Sequence, residues 1–449
     1  MAGDSSYPRV LVVGQAFNRC CGGGVTLSNL FEGWPRDRLA SAVLPGQVMD
    51  SDVCDQQYVL GSDEFVWAWP LSLVGRTRTP PSGVGARVLN DSPARSDGPP
   101  LRAGRLAGSL YAVLDFLGVR DELRSLRMSA PLRAWIRGFA PDIVYSHLHG
   151  LPVMSLVDQI CDEFGCPLAL HIMDDWPSFH YRDGALQGIV RRDMDRRLRS
   201  LIRRAASLLA IGDSMAAEYA VRYGPTFLPF HNPVDMEHWD ALAATYGAEA
   251  DVPADGRLRV VYTGRVGLAT ADSLLDVAEV ISDMSSRGVS IILQVNTPDS
   301  DSPAATRLAA CRGVLVTSAG EYDRVPALMA SADILLLPLD FDEQSARLMR
   351  LSMPTKVSEY LASGRPVLTY APRGSATAEY ARAGGWSLVV DERDPAAIRR
   401  ALELLVDDDT LRRDLGSRAR QCAAERHDAR RVRAEFRAAL TAGATSTRP

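Results

Sequence analysis

The sequence predicts an α/β protein made of two doubly wound, Rossmann-like domains that face each other across a crevice. Three observations predict it. Short apolar runs alternate with helix-spaced segments along most of the chain, the pattern of parallel strands joined by crossover helices. The first run, residues 9–13, closes on Gly14 and leads through Gly22-Gly-Gly24 into a helix-spaced segment. The chain has 449 residues, too many for one ordinary core, and the strand–helix series starts afresh after a proline-bearing break.

In chain order, residues 9–13 form the opening strand and the glycines a loop before a helix over 25–31. Residues 76–105 are rich in Pro, Gly, Ser and Arg without periodicity, which predicts a long mobile insertion. Order resumes with strands at 142–147 and 167–172, a helix over 151–164 between them, and another strand at 207–211. Residues 231–255 read as an interdomain linker, so 1–230 form the first domain. A second series follows over 256–425, with strands at 258–262, 290–295, 314–316, 334–337, 366–369 and 387–390. Residues 426–449 read as a final helix and a frayed tail.

Composition excludes several classes. Hydrophobic content of 46% with 23% charged residues is ordinary globular composition. A net charge of −5 argues against a phosphate-tracking nucleic-acid binder. No apolar run reaches the ~20 residues of a spanning helix, and the first residues lack a signal-peptide profile. The seven cysteines show no metal-ligand spacing. Reduced thiols and a cytoplasmic location are expected.

The basic residues are almost all arginine, and the chain's one lysine is Lys356. Glu359 lies one helical turn on, just past Pro354, which suits a helix start. A compact ammonium, a carboxylate and a helix N-terminus together suit a phosphorylated sugar nucleotide. A lysine surviving by chance on a solvated helix is the plain alternative. The run Arg191, Arg192, Arg196, Arg197, Arg199, Arg203 and Arg204 carries interspersed Asp193 and Asp195. It reads first as a solvated, salt-bridged face and second as a surface for peripheral membrane contact.

The motifs taken together resemble the GT-B glycosyltransferases, and within them the retaining family 4 enzymes (glycosyl transferases group 1). The resemblance rests on the Gly22–Gly24 loop, Asp142-Ile-Val-Tyr-Ser-His147, Asp174-Asp-Trp-Pro177, Asn232-Pro-Val-Asp235, Tyr262-Thr-Gly-Arg265 and Pro354-Thr-Lys-Val-Ser-Glu359 with its continuation to Val367. It implies transfer of a sugar from a nucleotide-diphosphate sugar to an acceptor hydroxyl, without metal or cofactor. The C-terminal domain would hold the donor and the N-terminal domain the acceptor, a small molecule or a lipid or glycan.

The resemblance also implies residue roles. Arg265 and Lys356 would bind the diphosphate, with the backbone of Gly23 and Gly24 approaching the donor closely. Glu359 matches the second glutamate of the family's E-x7-E motif and would accept from the donor ribose. His147 would lie near donor phosphate and sugar, and His149, Asp174 and Trp176 would serve the acceptor. The first glutamate of the motif is replaced by Leu351, and Thr270 stands near the place of a second family lysine. Two other functions stay open on the same fold, a nucleotide-sugar epimerase and a non-catalytic binding partner of another transferase.

Overall fold

The computed structural model describes residues 7–19, 22–47, 50, 52–67, 81–84, 124–180, 182, 185–247, 256–318 and 320–446. The chain divides into two compact units, residues 1–230 with 433–449, and residues 231–432.

The first unit is an eight-stranded sheet. Its strands are β1 (Val10–Val13), β2 (Leu39–Val43), β3 (Gln56–Val59), β5 (Gly83–Val84), β7 (Ile143–Ser146), β8 (Leu168–Ile172), β9 (Ala205–Ala210) and β10 (Leu228–Pro229), while β4 (Phe65–Trp67) and β6 (Arg124–Leu126) pair separately. The order is β10-β9-β8-β7-β1-β2-β3-β5. All pairs are parallel except the antiparallel β3–β5 edge. Helices cover the sheet, so every residue of β1, β2, β7 and β8 is buried. The strand order reverses between β1 and β7, which places the ends of both strands at one switch point.

The second unit holds β11 (Leu258–Thr263), β12 (Ile291–Thr297), β13 (Val314–Ser318), β14 (Ile334–Pro338), β15 (Val367–Tyr370) and β16 (Ser387–Val390). Their order is β13-β12-β11-β14-β15-β16, all parallel. This is the doubly wound order 3-2-1-4-5-6, with its switch point between β11 and β14. The central strands are buried and the outermost, β13 and β16, are partly exposed.

Several expectations are corrected. The first helix starts at Gly22 (Gly22–Phe31), so the three glycines form its first turn and not a loop. The stretch read as a linker contains the helix Met236–Gly247, and residues from His231 onward cluster with the second unit. That helix buries only Trp239, so its sequence shows no apolar stripe. Strands β2 and β3 were missed because they are short and rich in Ala, Ser and Gln. Of the 76–105 insertion only 81–84 lies within the described residues.

The last helix, Ala429–Thr445, returns the chain to the first unit from Arg433 onward. Phe436 is fully buried there and meets Phe31, Phe230 and Tyr145 edge-on at 5.1, 5.5 and 6.0 Å. The Ser207 hydroxyl donates to the Ala439 carbonyl at 2.9 Å. Phe436→Ala is expected to cost about 3–5 kcal/mol, read as a lowered denaturation midpoint.

Candidate functional site

In the second unit the site residues gather at the carboxyl end of β11. Lys356 opens the helix Lys356–Ser363. Its Nζ donates to the Tyr262 hydroxyl at 2.9 Å and lies 4.1 Å from the Tyr262 ring centroid. That hydroxyl donates in turn to the Arg265 carbonyl at 2.6 Å. No carboxylate pairs directly with Lys356 among the described residues. Burial holds its pKa below the ordinary lysine range, partly opposed by Tyr360 and Glu359. Gly264 makes the packing feasible. Its φ is 134°, and a Cβ there would lie 2.7 Å from Lys356 Nζ.

Glu359 projects from the same helix and is 6% exposed. Its Oε1 accepts from the Tyr322 hydroxyl at 2.6 Å. Burial pushes its pKa up to about 7, against the lowering effects of Tyr322 and Lys356. Arg265 is exposed and pairs with Asp299, just beyond β12, at 2.8 Å. Between them the 265–270 turn is held by Thr270, whose hydroxyl donates to the Arg265 carbonyl at 3.2 Å and accepts from the Gly267 amide at 3.3 Å. Ala269 in this turn is left-handed, φ 67°, and its carbonyl accepts from the Asp340 amide at 2.9 Å. Thr270 therefore shapes the turn and supplies no cation. Leu351 is buried, 6% exposed, so an apolar side chain occupies the place of the first family glutamate.

In the first unit His147 follows β7 at that sheet's switch point, and the helix carrying Gly23 and Gly24 follows the neighbouring β1. A Cβ on Gly24 would lie 2.2 Å from Asn18 Nδ2. The close approach seen at that glycine is thus to the buried Asn18 side chain.

His147 is 2% exposed. Its Nε2 lies 3.0 Å from the Tyr145 hydroxyl, which lies 2.6 Å from His171 Nδ1. One hydroxyl proton serves both rings, so Tyr145 donates to one imidazole and accepts from the other. His147 Nδ1 is buried and has no hydrogen-bond partner among the described residues. Burial, then His171 and His149, hold its pKa well below the usual histidine range, so the ring is neutral. Leu148, between the two histidines, is left-handed at φ 52°. The His147 and His149 ring centroids are 5.8 Å apart.

The acceptor candidates part company. Asp174 is exposed. Trp176 is 3% exposed and packs inside the unit, with no open ring face for a sugar. Such burial makes it a core-packing residue and does not present its ring to an acceptor. Asp175 is buried and carries a bidentate pair from Arg222 at 2.8 and 2.9 Å, with the Tyr219 hydroxyl donating at 2.9 Å. Its carboxylate is consumed structurally. No group of three or more metal-ligating side chains is found among the described residues.

The sequence reading missed Tyr262, Tyr322 and Asp299 in the second unit and Tyr145 in the first. Tyr145 was recoverable, since it lies two residues before His147 and shares its strand face. Tyr322 was not, because it reaches Glu359 across 37 residues of chain.

Residues 257–408 match the family model of glycosyl transferases group 1, and residues 83–238 match glycosyltransferase family 4. No curated protein sequence matches the chain. Among solved structures the fold is similar to that of Anabaena HepE in complex with UDP and glucose. The TM-score is 0.60 at 13% identity, covering 97% of this chain and 100% of that one. Sucrose-phosphate synthase from Thermosynechococcus elongatus gives 0.60 at 11% identity, covering 95% and 97%. An E. coli trehalose-6-phosphate structure bound with UDP-2-fluoro glucose gives 0.56 at 10%, covering 98% and 100%.

Glu359 sets a testable balance. Its folded pKa, about 7, lies above the unfolded value of 4.5. The folded state therefore holds the extra proton, and stability falls as pH rises from 4.5 through 7. Glu359→Gln removes that loss. It should raise stability more at pH 8 than at pH 5, by about 2–3 kcal/mol, read as a larger rise in melting temperature at pH 8. An equal effect at both pH values would contradict the burial argument.

Proposed function

We propose that this chain, a glycosyltransferase of the GT-B fold, binds a nucleotide-diphosphate sugar on its C-terminal unit and transfers the sugar with retention to an acceptor hydroxyl. The observation that carries the reading is Lys356. A half-buried ammonium with no carboxylate partner among the described residues is suited to an anion, and a diphosphate supplies one. Arg265 opens the turn held by the same Tyr262 hydroxyl, with a guanidinium suited to bidentate phosphate contact. Glu359, once ionised, offers acceptor sites for a ribose diol. The solved neighbours that carry UDP or a UDP-sugar support uridine as the first nucleotide to test.

The proposed step is a front-face displacement. The bond from the anomeric carbon to the diphosphate oxygen breaks, and the acceptor oxygen bonds to that carbon on the same face. The acceptor proton passes to the departing diphosphate. Arg265 and Lys356 bear the negative charge that develops on the leaving group, which is where electrostatic stabilisation contributes most. His147, neutral and locked by Tyr145, offers a ligand of the N-terminal unit a hydrogen bond without a charge.

A second reading is favoured by one observation. The buried Leu351 leaves the C-terminal unit without the first motif carboxylate, which suits a nucleotide-sugar binder that transfers nothing.

Donor turnover separates the two. Arg265→Ala and Glu359→Ala should each lower kcat/KM by about 10²–10³-fold, and the anomeric proton coupling of the product should report the donor's own configuration. Unchanged turnover in both variants would overturn the site, and an inverted product would overturn retention. UDP affinity should rise as pH increases through about 7, as Glu359 ionises, and Glu359→Gln should flatten that rise in a calorimetric titration.

A further inference from the structure

The arginine helix is not absorbed by the donor site. Gln187–Arg204 buries Val190, Met194, Leu198, Leu201 and Ile202 and turns its charges outward. Most of those charges are satisfied. Asp193 takes Arg196 at 3.0 Å and Arg197 at 2.8 Å, Asp195 takes Arg199 at 2.7 Å, and Arg204 reaches Asp158 and, at 2.7 Å, Asp162. The salt-bridged-face expectation therefore holds for its middle and for Arg204, while Arg203 has no ion-pair partner among the described residues.

The first turn and a half differ. Arg191 and Arg192 have no ion-pair partner among the described residues. Asp195, one turn along from Arg191, is turned to Arg199 instead. Both free arginines line a cavity of about 500 Å³, together with Ser178, Gly188, Arg222 and Tyr223. Arg222 is neutralised by Asp175 and by Glu218 at 2.8 Å. Asp195 lines the cavity as well, its carboxylate paired with Arg199, so the lining carries two guanidiniums without an ion-pair partner and two hydroxyls beside one engaged carboxylate. Gly188 adds a residue of the helix's first turn, the positive end of its dipole. Two arginines, hydroxyls and a helix start lining one concavity suit a phosphate in charge and donor type, with room for the rest of a phosphate ester.

We propose that this cavity is a phosphoryl-binding subsite of the N-terminal unit, formed by Arg191 and Arg192. A phosphate monoester or diester seats between the two guanidiniums and accepts from them. Its service as the acceptor's anchor rests on the function proposed above. The binding itself is measured without donor or turnover, so the two readings fail separately.

The full chain is titrated calorimetrically with inorganic phosphate and with glucose 6-phosphate, and co-sedimented with phosphatidylglycerol and phosphatidylcholine vesicles. Arg191→Gln/Arg192→Gln is compared with Arg196→Gln/Arg197→Gln, which removes the same charge from the paired part of the helix. Both variants alter a solvent-facing helix surface, and thermal unfolding checks that they fold. Loss of two charge-assisted contacts should weaken phosphate binding at least about tenfold in the first variant only.

If glucose 6-phosphate binds with that dependence, the anion is a soluble phosphate ester. If only phosphatidylglycerol vesicles bind with it, the anion is a lipid headgroup. Absence of binding in every arm, or equal loss in the two variants, overturns the subsite.

Discussion

A half-buried ammonium held on the face of a tyrosine, with no paired carboxylate among the described residues, is the constraint on which the C-terminal site depends. Lys356 is fixed by Tyr262, whose ring lies beneath the cation and whose hydroxyl accepts from it. The same hydroxyl donates to the Arg265 carbonyl, so one phenol sets both the lysine and the turn that carries the arginine. Gly264 has to lack a side chain for this to happen. Thr270, Ala269 and Asp340 then hold the rest of the turn. Desolvation without ion pairing costs stability, and such a cost is tolerated where an anion is to be bound.

Glu359 is the counterpart. It stands one turn from Lys356 yet is held mainly by Tyr322, and burial raises its pKa to about 7. The helix thus carries a lysine whose pKa is lowered and a glutamate whose pKa is raised, both chiefly by desolvation. A diphosphate beside the first and a diol beside the second would relieve both.

The N-terminal unit uses a different device. Its switch point holds neutral imidazoles linked through Tyr145 and packed by Phe436 from the returning C-terminal helix. The left-handed Leu148 turns the chain just after His147. The unit's charge lies elsewhere, on the arginine helix, where carboxylates satisfy all but the first arginines of the run and Arg203.

By itself the sequence determined the fold class and the positions of the main parallel strands, because strands buried on both faces read as unbroken apolar runs. It also singled out Lys356, Glu359, Arg265 and His147, each adjoining a strand end or opening a helix. It did not reveal the helix Met236–Gly247, whose contacts are made by Trp239 alone among buried residues, nor the short polar-containing strands β2 and β3. Tertiary structure alone decided what each candidate touches. Trp176 went to the core, Asp175 to Arg222, Thr270 to a backbone turn, and Lys356 to Tyr262 rather than to Glu359. Local spacing specifies which side chains share a face. Partners separated by tens to hundreds of residues are chosen only when packing and desolvation bring them together.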